Sequence, residues 1–458
     1  MNILVLFSIS EKKPRKTILD SLYCFSNYDK QNNYYFLDIL DIKSVKKLTM
    51  PKYHNIELSA IIVHYSAISQ RYDTVWWNRN KQLLISLMQQ YQCTKILIPQ
   101  DEYNYNGNVR EFISKAGIQY IYTCAYKEDY EKLYPKILGY TYIETVYTGY
   151  IDEVTLKKIQ KKGYGKKRTI DIGYRARKLP YWLGKHGQLK YELAEVFLDY
   201  FKTNSSNLTY DIANTSQANS NQNVLLGDSW IDYLLNCRTV LGCLGGSGLL
   251  DIDGNIAKKV NKYCNEHPNA SFEEVEEKCF KGKDNEIHLF ALSPRHFECA
   301  MTKTCQILVE GNYNGVFERN IDYIELKKDF SNITEVISKV QDIKYCEQIA
   351  ENCYNHVVLS EKYTYAKYVE NIIRKITKIE NGIFSFRLWF LCKKSKFRSV
   401  HYIPSFSFLK SFPKELGLWL LGKIFKLFEP FRNTTLHKSL KHAWDEYCER
   451  HAQNDSNN

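Results

Sequence analysis

The constraint that narrows this chain most is a rhythm. Short apolar runs alternate with stretches of helical spacing, and the pattern is set up twice. The first copy has apolar runs at Ile3–Phe7, Tyr34–Leu40, Ala60–His64, Lys95–Pro99 and Tyr120–Thr123, with helix-compatible segments such as Asn78–Tyr91 between them. The second begins at Thr169. Its strand candidates are Thr169–Tyr174, Thr209–Ile212, Thr239–Leu244, Ile287–Leu292, Cys305–Val309 and Tyr323–Leu326, and its helix candidates Lys190–Phe201, Ile256–Glu266, Ser271–Cys279, Ile333–Val340 and Tyr345–His356. Buried strands alternating with amphipathic helices make an α/β fold in which parallel sheets carry helices on both faces. With 458 residues there is chain for two or three domains. The expected division is 1–165, 166–380 and an extension over 381–458. Two consecutive α/β domains enclose a cleft, a common place for a ligand.

In such sheets ligands collect beyond the carboxyl ends of the strands. Five stretches put chemistry there. AIIVHYS places His64 at a strand end, and ILIPQDEY does the same for Gln100, Asp101 and Glu102. His64 reads either as a base or as a hydrogen-bonded structural histidine; the acidic pair reads either as functional or as a helix cap. The run Tyr174–Gly184 (YRARKLPYWLG) offers Arg175, Arg177 and Lys178, whose charges suit a diphosphate leaving group or a solvated loop. Lys185 and Lys190 are weaker candidates of the same kind. In LGCLGGSGLLDIDG, Gly245, Gly246 and Ser247 can cradle a phosphate or sugar, or simply make a tight turn. In Ser293–Gly311 (SPRHFECAMTKTCQILVEG), Ser-Pro opens a short helix after the Ile287–Leu292 strand. Glu298 in that helix can accept both hydroxyls of a ribose or merely complement the helix dipole. The first-turn amides, around Ser293, Arg295, His296 and Phe297, can face a diphosphate.

Composition bounds the partners. The net charge of +12 suggests an anionic partner, and 44% hydrophobic residues argue against wholesale disorder. Thirteen cysteines occur without CxxC pairs, and no His/Cys group has zinc-ligand spacing, so no metal site is expected. The absence of a basic region before MNILVLFS, together with the odd cysteine count, predicts a reduced, cytoplasmic protein. No GxGxxG follows the first strand, which disfavours a dinucleotide cofactor. Phe384–Arg432 holds ten Lys or Arg against two Glu, and Leu416–Phe428 (LGLWLLGKIFKLF) is too short to span a bilayer. It reads either as an amphipathic segment lying on an anionic membrane surface or as a helix packed on the body of the protein. Residues 453–458 are expected to be disordered. No nucleic-acid module is evident.

The motifs DIGYRARKLPYWLG, LGCLGGSGLLDIDG, ALSPRHFECAMTKTCQILVEGNYNG and YIELKKDFSNITEV, with QDEY in the first half, together resemble bacterial glycosyltransferases of group 1, the kind encoded in cell-surface polysaccharide clusters. The resemblance implies a GT-B-like fold: two Rossmann-like domains facing across a cleft, the first holding the acceptor and the second a nucleotide-sugar, with no cofactor and no bound metal. The family's Glu-x7-Glu motif matches with its second Glu at Glu298, a ribose contact; its first falls at Phe290, a departure from the pattern. Arg175, Arg177 and Lys178 resemble the family's diphosphate-binding cations. The function so implied is transfer of a sugar from a nucleoside-diphosphate donor to a lipid-linked or surface glycan, with Arg175 and Arg177 stabilising the leaving group and His64 or Asp101 as base. The alternative is a sugar-nucleotide-binding scaffold of a polysaccharide assembly complex, without catalysis.

Overall fold

A strand buried on both faces must be apolar at successive positions, whereas a half-buried strand alternates. Asn2–Phe7 (β1) is buried at all six positions, as is Asn33–Asp38 (β2), and Ala60–Val63 (β3) at all four. With Thr94–Leu97 (β4), Tyr120–Thr123 (β5) and Tyr142–Thr145 (β6) they form one parallel sheet in the order β2-β1-β3-β4-β5-β6. These coordinates are a computed structural model, which describes residues 1–10, 14–164, 167–215 and 227–376, together with 225, 385, 388, 391 and 392. The second sheet contains Ile170–Arg177 (β7), Tyr210–Thr215 (β8), Cys237–Gly242 (β9), Cys305–Val309 (β12) and Ile324–Leu326 (β13), in the order β13-β12-β9-β7-β8. Gly245–Ser247 (β10) and Leu289–Ala291 (β11) make a separate antiparallel ribbon. The architecture is thus two doubly wound α/β domains, the GT-B-like arrangement expected from the sequence.

Two details differ from expectation. The Ile287–Leu292 strand does not join the parallel sheet; its centre pairs with the glycine-rich stretch instead. Gly246 (φ +108°) makes this possible, because any Cβ there would collide with the Leu289 carbonyl. Packing also crosses the expected boundaries near 165 and 380. Ile151 and Ile159 pack in a core of the second domain. The helix Tyr365–Ile373 returns to the first sheet, where Tyr365, Tyr368, Val369 and Ile372 pack with Ile3, Val5 and Phe7. The outward and return crossings run side by side: Ile151 N–H donates to Tyr363 O (2.9 Å), and Tyr365 N–H donates to Ile151 O (3.0 Å). An apolar helix face does not encode which of two similar sheets will cover it, so a boundary drawn from pattern alone misses the return.

Most of the C-terminal extension, including 393–458, lies outside the described residues, and with it most of the basic aromatic stretch. Leu388, Leu391 and Cys392 are buried against the first domain, and Ser385 N–H donates to the Tyr35 hydroxyl (2.9 Å). Among the described residues no helix is long and apolar enough to cross a membrane, and no disulfide joins any two of the twelve described cysteines.

The domains meet through an excursion of the second one, residues 245–291. Leu250, Ile287, Leu289 and Ala291 from this excursion, with Leu183, share one hydrophobic cluster with Tyr103, Val109 and Leu133 of the first domain. Backbone also crosses the seam: Asp251 N–H donates to Tyr103 O (2.7 Å), and Gly107 N–H donates to Ile252 O (2.8 Å). Gly254 (φ +76°) lies against the Tyr105 ring with no space for a Cβ. Gly254→Ala therefore combines a left-handed backbone with a clash across the seam. It should lower unfolding stability by about 2–4 kcal/mol, measured by urea denaturation, while an alanine at Gly282, where φ is also positive but space is open, should cost about 1 kcal/mol.

Candidate functional site

In each sheet the strand order reverses once: between β1 and β3 in the first, and between β7 and β9 in the second. The chain leaves in opposite directions at such a point and opens a crevice at the carboxyl ends. The end of β3 leads into His64 and the end of β4 into the Gln100–Tyr103 loop; the ends of β7 and β9 lead into Arg177 and Cys243.

On the second-domain side the cations separate into two kinds. Arg175 is spent on the fold. It ion-pairs with Asp211 on β8 (2.6 Å) and donates to the carbonyls of Tyr174 (3.0 Å) and Asp211 (2.8 Å), with its guanidinium 4.4 Å from the Tyr233 ring centroid. Lys178 is exposed beside the Tyr181 and Tyr191 rings, and Arg177 is exposed at the strand end. Lys190 is different. The helix carrying it runs Gly184–Thr203, six residues longer at its start than the spacing predicted, so Lys190 falls in its second turn rather than at its beginning. Its ammonium sits 3.3 Å from the point where a side chain on Gly245 would begin. Among the described residues that ammonium makes no hydrogen bond or ion pair. Burial, with Arg295 and Arg177 nearby, pushes the Lys190 pKa down, while Cys243 and Asp101 pull the other way.

Arg295 donates to the Arg175 carbonyl (2.7 Å) and lies 5.3 Å from the ring centroids of both Tyr174 and Trp230. Trp230 Nε1 in turn donates to Glu298 (2.7 Å). Glu298 is half-buried on the helix Pro294–Met301. Burial raises its pKa, against the Trp230 hydrogen bond and Arg295; Lys16 and Asp20 of the first domain also act on it. The Glu298 carboxyl is therefore fixed in orientation and positioned between domains.

The other second-domain candidates are built into the scaffold. The Ser247 hydroxyl is fully buried, donating to the Leu183 and Leu249 carbonyls and accepting from Leu249 N–H. Ser293 and His296 form a capping box that closes the start of their helix. The His296 ring is buried, 5.5 Å from Tyr313 and 5.9 Å from Phe317, with its pKa pushed down to about 3 by burial. Phe297 is fully buried in an aromatic cluster with Tyr147, Tyr150 and Phe317. These side chains hold the helix that presents Arg295 and Glu298. The start of the Gly184–Thr203 helix is closed as well, with the Asp284 carboxylate accepting Lys185 N–H (2.7 Å).

On the first-domain side, His64 is buried and uses both ring nitrogens. Nδ1 lies 2.8 Å from the Ser66 hydroxyl and Nε2 lies 3.1 Å from the Ser21 hydroxyl; burial pushes its pKa down to about 3. It is the structural histidine of the two readings. Asp101 stands in the left-handed region (φ +57°), and its carbonyl is held by Arg71 Nη2 (2.6 Å) and the Tyr72 hydroxyl (2.7 Å). Arg71, fully buried, also donates to the Asn104 and Ile68 carbonyls, so one guanidinium fixes the whole QDEY turn. The Asp101 carboxyl is reached by solvent yet crowded by the cleft walls. Desolvation raises its pKa, and Arg71, Tyr103 and Lys190 act in the opposite sense. Glu102 points inward, accepting hydrogen bonds from Thr123 and Tyr134.

Between the domains lies a cavity of about 300 Å³, lined by Tyr126 and Asp129 from the first domain and by His186, Leu244, Phe290 and Gly311 from the second. His186 stacks on Phe290 (3.7 Å between centroids), so the position matched to a first motif glutamate is filled by an aromatic pair. Burial and Lys190 push the His186 pKa down to about 4, and its buried Nε2 has no partner. Trp230 and His186 carry no sequence signal that separates them from other aromatics of the chain. Lys190 likewise carries no sequence signal that separates it from other lysines of the chain.

No protein-family model and no curated protein matches this sequence. Solved structures do. The HepE protein of Anabaena, determined in complex with UDP-glucose, shares 12% identity over 82% of this chain and 98% of that one, at a TM-score of 0.42. A glycosyltransferase from Rickettsia africae is 10% identical over 81% and 97% of the two chains, at 0.41. TarM is 8% identical over 73% and 58%, at 0.39.

The three buried imidazoles give the protein a pH signature. In the fold they titrate at about 3 (His64, His296) and about 4 (His186), against about 6.5 when unfolded. The unfolded chain therefore binds more protons below pH 6.5. Stability should fall as pH drops from 6.5 toward 4, each group contributing on the order of 2 kcal/mol at pH 5. Urea midpoints at pH 7 and pH 5 measure this, and His64→Gln should lose less stability between those two pH values than the unaltered protein.

Proposed function

We propose that the protein transfers a glycosyl group from a nucleoside-diphosphate sugar to a glycan or lipid-linked acceptor. The observation that carries this reading is Lys190: a half-buried ammonium without a counter-ion among the described residues, beside Gly245, with Arg295 and Arg177 near it. Taking such a group out of water is costly unless an anion completes it. A diphosphate supplies that anion.

In the reaction, the bond from the sugar C1 to the β-phosphate oxygen breaks, and its electron pair leaves on that oxygen. Lys190, Arg295 and Arg177 neutralise the developing charge. Glu298, oriented by Trp230, accepts the ribose hydroxyls. The acceptor hydroxyl forms the new bond to C1 and gives its proton to Asp101. That assignment is supported by the position of Asp101 within electrostatic range of Lys190 across the cleft and by the full hydrogen bonding of His64. The aromatic pair at Phe290 and His186 gives the donor sugar an apolar face to lie on.

Purified protein tested with a panel of nucleoside diphosphates and their sugars should be thermally stabilised by one base class. Lys190→Met should abolish that shift and lower turnover by about 10²–10³-fold. Arg175→Lys should act chiefly on stability. Asp101→Asn should keep the nucleotide shift and lose transfer, and the acid limb of turnover in the unaltered protein should lie above the ordinary carboxylate range. An unchanged nucleotide response in Lys190→Met would overturn the assignment.

A further inference from the structure

The strand β6 is the edge of the first sheet, and a second, polar cavity of about 180 Å³ opens beside it. Tyr122 and Glu144 are register partners on β5 and β6, so their side chains share a sheet face. The returning chain adds Lys362, Tyr363 and Asn371 to the lining, and Tyr147 closes the inner wall. Val146, Tyr147, Tyr150 and Tyr368 also line the small cavity that His64 and Gln100 line, so a wall of these side chains lies between the edge cavity and the carboxyl ends of the first sheet.

Two features set this cavity apart from a packing defect. The Tyr122 hydroxyl is buried and has no hydrogen-bond partner among the described residues, although a phenol so placed ordinarily finds one. Glu144 has one oxygen engaged, accepting from the Tyr142 hydroxyl (2.7 Å), which orients its carboxylate. Flat aromatic faces combined with a carboxylate, an amide and an ammonium suit a molecule that is apolar on its ring faces and polar around its rim. The volume is below that of a pocket for a drug-sized ligand and accommodates one ring.

We propose that this edge cavity is a carbohydrate subsite that holds one sugar residue of the acceptor, away from the reacting hydroxyl. Glu144 and Asn371 take the ring hydroxyls, the Tyr122 hydroxyl gains its missing partner, and Tyr147 or Tyr363 supplies the stacking face. The acceptor part of this inference rests on the glycosyl-transfer reading above; the carbohydrate site itself does not.

The test is saturation-transfer NMR on the full chain with millimolar methyl glycosides of glucose, galactose and N-acetylglucosamine as probes, alongside the thermal shift with UDP. At least one probe should receive saturation. Glu144→Gln and Tyr122→Phe should each weaken its binding by about tenfold, the size of one lost hydrogen bond to a charged or buried group, and leave the UDP response unchanged. Asn371→Ala, at a half-exposed position, provides the same readout with little risk to folding. Saturation of no probe, or equal saturation in all three variants, overturns the proposal. Site-dependent sugar binding in a protein that ignores every nucleotide would instead retain the carbohydrate site and remove the transfer reading.

Discussion

The seam between Tyr103–Gly107 and Asp251–Ile252 fixes the rest of the molecule. Backbone hydrogen bonds tie a loop of one domain to an excursion of the other, and an apolar cluster surrounds them. Asp101 lies two residues before this seam, and the β10-β11 ribbon that presents Gly245 belongs to the same excursion. A cleft whose walls were joined only by the crossings near Ile151 and Thr364 would vary in width, and the charge of Asp101 would not be held near Lys190. The seam makes the cleft a fixed distance rather than an average over domain motion. Arg71 extends that rigidity by holding the carbonyls of Ile68, Asp101 and Asn104 with one buried guanidinium.

Rigidity has an electrostatic consequence. Both helix starts that could have met an anion are closed, one by Asp284 and the other by Ser293 with His296. Anion recognition in the second domain therefore falls to side-chain charge. Arg175 is neutralised by Asp211, and Lys178 is exposed among tyrosines. Of the cations considered, Lys190, Arg177 and Arg295 remain for a ligand, the last braced by two aromatic rings and a carbonyl. Lys190 supplies a mobile point charge and Arg295 a fixed planar one, a combination suited to two linked phosphates.

Much of the fold was legible in the sequence because parallel strands buried on both faces leave continuous apolar runs, and β1, β3 and β12 are of this kind. The antiparallel ribbon was not, since Leu289–Ala291 has the same apolar character as a sheet strand and only the absent side chain of Gly246 decides its partner. The return of Tyr365–Ile373 to the first sheet was hidden for the same reason: amphipathicity gives a face but no address. Around Glu298 the helix-then-strand order was legible, since the helix Pro294–Met301 leads into the strand Cys305–Val309. The ranking of the cations was not. Arg175, Arg177, Lys178 and Lys190 are alike as letters, and what separates them is a counter-ion on a neighbouring strand, Asp211, far along the chain. His64 stood at the right strand end, but Ser21 and Ser66, which occupy its nitrogens, come from two other segments.

The neutral state of the histidines completes the argument about charge. His64, His186 and His296 are all held well below the range in which they would ionise at neutral pH, so none adds to the positive potential of the cleft. Among the described residues that potential comes from Lys190, Arg295 and Arg177, with Lys328 on the cavity wall, facing the carboxyls of Asp101 and Glu298. Neutral imidazoles behind a cationic centre avoid like-charge repulsion that would further depress the Lys190 pKa. His186 then serves the site through its ring face, stacked on Phe290, and the floor of the cleft is apolar where its rim is charged. The ligand of the proposed reading, a sugar joined to a diphosphate, carries negative charge at one end and a ring with an apolar face at the other.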